Sequence, residues 1–226
     1  MYKIKLKIMK KIVLKIKKQI KNNPNKKIVV WFVGSFSSGK TTQAKLIYNQ
    51  FSKEPIIINR KIKEDIWLKA SLFNEVSNIG ITSDKQCSGA DTINNKFTRR
   101  LSVAYCAKNS NIVLVDGALF SNVWWEMFLK NFDKILLVLL KHDNLESNLD
   151  FLRKRRANNK NNTRTLDFEE RTVKNMISKI KGADSLYNNA DSHMRENDKK
   201  IKINSSLPEG EINLIILRKI YNMLRK

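Results

Sequence analysis

One stretch near the start of the chain constrains it more than any other. Residues 28–33, Ile-Val-Val-Trp-Phe-Val, form an unbroken apolar run rich in β-branched and aromatic side chains, the pattern of a strand buried on both faces. The run passes directly into Gly34-Ser35-Phe36-Ser37-Ser38-Gly39-Lys40-Thr41, which has the G-x-x-x-x-G-K-[ST] spacing of a phosphate-binding loop. Ala44, Leu46, Ile47 and Phe51 then recur at helical spacing. Gly34 and Gly39 permit backbone angles that turn successive N–H groups inward, which makes an anion cradle at a helix N-terminus. At average residue usage the pattern arises by chance in well under about 1% of chains this long, so a glycine turn with an accidental lysine is the weaker reading. On the stronger one, Lys40 reaches the β- and γ-phosphates of ATP and the Thr41 hydroxyl ligates Mg²⁺. Gly34, Ser37, Ser38, Gly39 and Thr42 complete the nucleotide-phosphate site.

A second informative piece is residues 111–116, Asn-Ile-Val-Leu-Val-Asp. A buried strand ending in an acid, about 75 residues after the loop, is suited to delivering the Asp116 carboxylate to Mg²⁺ beside the phosphates. Further short apolar runs at residues 55–59, 135–140 and 201–204 read as strands. Residues 62–79, 92–108, 118–132, 144–156, 167–187 and 209–226 read as helices between and after them, with a break at 80–89. The expected fold is therefore α/β: a doubly wound, parallel, five-stranded sheet flanked by helices. Ligands of such sheets lie outside the carboxyl ends of the strands, where this reading puts Arg60.

At 226 residues the chain reads as one domain with a full core. Its net charge of +23 is the unusual quantity. A surface that basic suits nucleic acid, anionic lipid or phosphorylated substrates, although lysine, asparagine and isoleucine spread along the whole chain are also what an AT-rich coding sequence yields. Cys87 and Cys106 fit neither a zinc site nor a disulfide framework, which points to a reducing, cytoplasmic setting. His142 and His193 fall in no motif and read as structural or surface residues, and Trp124 and Trp125 as packing. No apolar run reaches the roughly 18 residues a membrane span needs.

Residues 1–26 read as a basic amphipathic extension ahead of a 27–226 domain. Met9, Ile12, Val13, Ile16 and Ile20 make a helical apolar stripe among lysines, and no acid occurs before Glu54. Such a segment either docks its stripe on the domain or lies on nucleic acid or an anionic membrane. Every motif lies after Lys27, so residues 1–22 are expected to be dispensable for activity.

With these residues in view, the chain resembles the nucleoside monophosphate kinases of the P-loop class, thymidylate kinase most of all. Gly39-Lys40-Thr41-Thr42-Gln43 looks like that family's G-K-T-T-Q, and Asn59-Arg60 stands where its T-R-E-P-G motif begins, without the Pro-Gly. Residues 149–155 followed by Leu166-Asp167-Phe168-Glu169-Glu170-Arg171 look like the lid arginines and the helix after them. Asn204 stands at the family's base-contacting strand end. The resemblance implies a P-loop fold with a small lid at about 153–165. It also implies ATP and Mg²⁺ as cofactors, phosphoryl transfer to a dTMP-like nucleoside monophosphate, and a homodimer. Lys40, Mg²⁺ held on Thr41 and Asp116, and the lid arginines Arg153 and Arg155, with Arg164, would neutralise the transferring phosphate. One departure is plain: the family follows its third-strand aspartate with arginine, and here Gly117 follows Asp116. Arg60 and Arg100 are then expected to hold the acceptor, Arg100 in preference to Arg99. The alternatives are a kinase of polynucleotide 5′-ends and a non-catalytic nucleotide-binding module that holds nucleic acid on its basic surface.

Overall fold

The computed structural model describes residues 2–82, 90–93, 95–117, 123–157 and 170–225, and side chains from residue 7 onward apart from Asp91 and residues 155–157. Its centre is a seven-stranded sheet in the order β2-β3-β4-β5-β1-β6-β7. The strands are β1 (Ile28–Val33), β2 (Ile56–Lys63), β3 (Ile66–Phe73), β4 (Val76–Ile79), β5 (Ile112–Asp116), β6 (Lys134–Lys141) and β7 (Lys199–Asn204). The five strands β4-β5-β1-β6-β7 are mutually parallel, while β2 and β3 form an antiparallel hairpin added at one edge.

The apolar run at 28–33 is continuous because both its faces are covered. Ile28, Val30 and Phe32 join one core cluster, and Val29, Trp31 and Val33 join the other. The first cluster lies under α1 (Tyr2–Asn22), α2 (Lys40–Tyr48) and α7 (Glu209–Arg225). The second lies under α3 (Lys96–Asn109), α4 (Val123–Asn131) and α6 (Glu170–Asn188). There Trp31 meets Trp125 and Phe128 edge-on at 5.2 and 5.3 Å, an arrangement the ring quadrupoles favour. Another helix, α5 (Leu145–Ala157), follows β6 at its carboxyl end.

Two expectations need correction. The sheet has seven strands rather than five, and residues 62–79 are not a helix but the end of β2 followed by β3 and β4. The two-residue connections Glu64-Asp65 and Asn74-Glu75 make the reversals, Asn74 adopting φ 56 as tight hairpin turns require. The apolar residues of 66–73 fit a helical period loosely, but Leu68 and Ala70 are buried two apart, the period of a strand. The run at 55–59 belongs to an exposed edge strand, with Ile56 65% and Ile57 42% accessible, so it is not a buried second strand. Beyond Ile58, which aligns through Ala70 with Ile79, the hairpin overhangs the carboxyl edge of β4.

The amino-terminal helix docks. Met9, Val13, Ile16 and Ile20 are buried in the same cluster as Ile212, Ile216 and Ile220 of α7, and the Lys26 ammonium donates to the Leu224 carbonyl at 3.2 Å. The expectation that residues 1–22 are dispensable does not fit this packing. No helix among the described residues is long and apolar enough to cross a membrane.

Candidate active site

The glycine loop 34–39 joins the carboxyl end of β1 to α2, at the centre of the parallel strands. Its backbone takes three conformations that disfavour ordinary side chains: φ 151 at Gly34, 59 at Ser37 and 85 at Gly39. A β-carbon on Gly34 would stand 2.3 Å from the Leu140 carbonyl oxygen of β6. The loop is thus pressed against the neighbouring strand at its first residue. The N–H groups of Phe36, Ser37 and Gly39 donate to no acceptor among the described residues and that of Ser38 closes only a loose turn onto Ser35, which leaves donors at a helix N-terminus for an anion.

Lys40 is buried and folds back over the loop. Its ammonium donates to the carbonyls of Gly34 at 3.0 Å and Ser35 at 2.6 Å, and lies 3.4 Å from the Ser38 hydroxyl. The loop is braced from outside as well. The Ser35 hydroxyl donates to Asn148 Oδ1 at 2.9 Å, the Ser205 hydroxyl donates to the Ser38 carbonyl at 3.1 Å, and the Ser38 hydroxyl donates to the Ser35 carbonyl. His142 Nε2 lies 3.3 Å from the Ser37 carbonyl, and its ring packs on Phe151. Burial lowers the pKa of this histidine, opposed by the Ser37 hydrogen bond and the nearby Asp143, so the neutral tautomer with hydrogen on Nε2 is the one that braces the loop.

Asp116 ends β5 directly beside β1, in register with Phe32. It is fully buried, and the Asn78 amide of β4 donates to its Oδ1 at 2.9 Å. Thr41 and Thr42 lie half-buried in the first turn of α2. A hydroxyl and a carboxylate are all-oxygen donors of the kind Mg²⁺ takes, and that ion is commonly held by one or two carboxylates plus substrate phosphates. The described residues contain no cluster of three His, Cys, Asp or Glu side chains, and such a site needs none.

The remaining expected residues are not brought together in the same way. Asn204 lies at the carboxyl end of β7 beside Lys141, its amide donating to Asp143 at 2.8 Å, one residue from the Ser205 that touches the loop. Arg153 is half-exposed on α5 and donates to Glu146 and Asp150 at 2.6 Å each, so its charge is engaged on its own helix. The Arg155 side chain and the rest of the expected lid, Arg164 included, lie outside the described residues. Arg60 is exposed on β2, paired across the hairpin with Leu68. Three strands lie between it and β1, four spacings or roughly 19 Å at ordinary strand separation. Arg100 points outward, 3.4 Å from Glu126 on the surface. Its neighbour Arg99 points inward instead: its guanidinium lies 5.8 Å over the Trp124 ring and its buried Nε has no partner among the described residues.

Four bracing residues escape a reading of motifs. Asn78 falls in the stretch that looked helical, and Asn148 and Ser205 carry no pattern of their own. His142 is visible only as one of two histidines. It also lines a cavity of about 390 Å³ at the carboxyl end of β6, with Asn148, Lys141, Lys181, Ile177 and Ile180 among the other walls. Compared with known proteins, the chain matches no family model and no curated relative.

Proposed function

We propose that this chain is an ATP-dependent phosphotransferase of the P-loop class that moves the γ-phosphoryl group onto a nucleoside monophosphate. The observation that carries the reading is the glycine loop with idle N–H donors and a buried lysine, placed beside a buried aspartate on the adjacent strand. Phosphoryl transfer asks little covalent chemistry of a protein; positioning and charge neutralisation do most of it.

Each group has a part in that chemistry. The N–H groups of residues 36–39 bind phosphate oxygens, and Lys40 exchanges its loop carbonyls for the β- and γ-phosphates. Asn78 keeps the Asp116 carboxylate oriented. Thr41 and Asp116 would hold Mg²⁺, which when bound supplies neutralising charge between the phosphates. His142, Asn148 and Ser205 keep the cradle in shape from behind. The loop and Asp116 stand at the carboxyl ends of the strands, where ligands of parallel sheets bind. The acceptor arginine in this reading is Arg99, because the first turns of α3 and α4 lie on that edge and Arg100 faces away.

The test is turnover of γ-labelled ATP with a panel of nucleoside monophosphates and a 5′-hydroxyl oligonucleotide. Transfer to one monophosphate, abolished in Lys40→Ala while the variant still melts cooperatively, is the expected outcome. Transfer to the oligonucleotide alone would replace the acceptor, and undiminished turnover in Lys40→Ala would remove the reading.

A further inference from the structure

We propose that the solvent face of α1 is a docking surface for the phosphate backbone of double-stranded nucleic acid. The proposal is independent of the phosphotransferase reading. Because Met9, Val13, Ile16 and Ile20 are buried against the domain, the opposite side of the helix is fixed outward. Lys7, Lys10, Lys11, Lys15, Lys18 and Lys21 are all exposed there, at spacings of three and four that put them in one stripe. From Lys7 to Lys21 the stripe runs about 21 Å at the rise of an α-helix.

Two features set this stripe apart from the chain's general basicity. The helix contains no acidic residue, and among the described residues its one ion pair is Lys17 with Glu75 at 3.9 Å, to the side of the stripe. Elsewhere lysines are interleaved with acids, as in Lys174–Glu170, Lys141–Asp184 and Lys200–Asp191. The helix therefore presents six exposed cations with no acid among them, of which Lys15 also lies over the Tyr221 ring at 5.9 Å.

The form of the surface selects the partner. A helix that lies in a membrane interface does so by burying its apolar face in lipid, and here that face is already used by α7. Leu14, 67% exposed, is the one large apolar side chain that the described part of the helix shows to solvent. Single-stranded nucleic acid is held by aromatic side chains on which bases stack, and the stripe offers none. It has no arginine or asparagine to read base edges before Asn22 either. What remains is a row of point charges, matched best by the polyanion of highest linear charge density. Duplex nucleic acid carries one charge per about 1.7 Å.

The experiment is fluorescence anisotropy of a labelled duplex of mixed sequence with the full chain, between 50 and 200 mM salt. Six phosphate contacts give a slope of roughly −5 in log K against log salt, about a thousandfold loss across that range. Lys10, Lys11 and Lys18 changed together to glutamine should reduce the slope to about −3. A charge-matched control with Lys53, Lys108 and Lys130 changed to glutamine, all exposed and outside α1, should leave it near −5. A second stripe variant at Lys7, Lys15 and Lys21 repeats the measurement should the first fail to fold. Equal losses in stripe and control variants would overturn the proposal, as would no duplex binding at 50 mM salt. So would binding to vesicles containing phosphatidylserine, lost in Leu14→Gln, by a chain that leaves the duplex free.

Discussion

Replacing the two glycines of the loop separates two physical roles that the motif runs together. At Gly34 an added β-carbon would lie 2.3 Å from the Leu140 carbonyl oxygen and 2.6 Å from the Ser38 hydroxyl, at φ 151. The hydroxyl can rotate away, at the expense of its bond to Ser35. The carbonyl cannot, because Leu140 is fully buried and paired in β6 between β1 and β7. Overpacking of this kind costs about 1–3 kcal/mol, and the disfavoured backbone adds about 1–3 kcal/mol, so Gly34→Ala should lose about 2–6 kcal/mol. At Gly39, φ 85, a β-carbon meets nothing within 4 Å, and only the left-handed conformation is penalised, by about 1–2 kcal/mol. Urea denaturation reads the difference. With a slope near 2 kcal/mol per molar, the midpoint should fall by about 1–3 M in Gly34→Ala and by about 0.5–1 M in Gly39→Ala. The milder variant should stay folded yet bind ATP poorly, since residue 39 orients the donors of the cradle. Equal losses, or a larger one at Gly39, would refute the claim that the loop is pressed against β6.

Burial lowers the His142 pKa from the ordinary 6.5, so the unfolded chain binds its proton first and stability should fall as pH drops below about 6.5; His142→Gln, followed by denaturation at several pH values, should flatten that fall, and an unchanged profile would count against it. Deleting residues 1–22 removes four buried side chains from the α7 interface, worth about 6–12 kcal/mol at 1.5–3 each. That rivals the whole stability of a domain, so the truncated chain should not fold; a cooperative melt near the full chain's would show the helix to be an appendage. Finally, Arg99→Ala should raise the acceptor KM at least tenfold while Arg100→Ala, which loses an exposed ion pair worth under about 1 kcal/mol, should leave it within twofold. The reverse ranking in steady-state kinetics would return the acceptor role to Arg100.

How much of this was legible follows from where each signal is stored. The run at 28–33 and the loop after it are local: their pattern depends on burial on two faces and on backbone angles that only certain residues reach, and both are written in consecutive letters. The same holds for the strand ending at Asp116, which the sheet then sets beside β1 in register with Phe32. The hairpin was illegible for the opposite reason. Its apolar residues fit two periods, its turns are Glu-Asp and Asn-Glu rather than glycine-bearing pairs, and only pairing with β4 decides between helix and strand. That single ambiguity displaced Arg60 from the carboxyl end of a buried strand to an exposed overhang and hid Asn78, which holds Asp116. The choice between Arg99 and Arg100 likewise rests on a rotation of about 100° around α3. That rotation is fixed by Thr98 and Ser102, whose hydroxyls accept from the backbone of Trp67 and Lys69 in the same hairpin. The proposed acceptor side thus depends on the one element whose period was ambiguous, while the proposed phosphate side rests on a motif that needs no partner to be read.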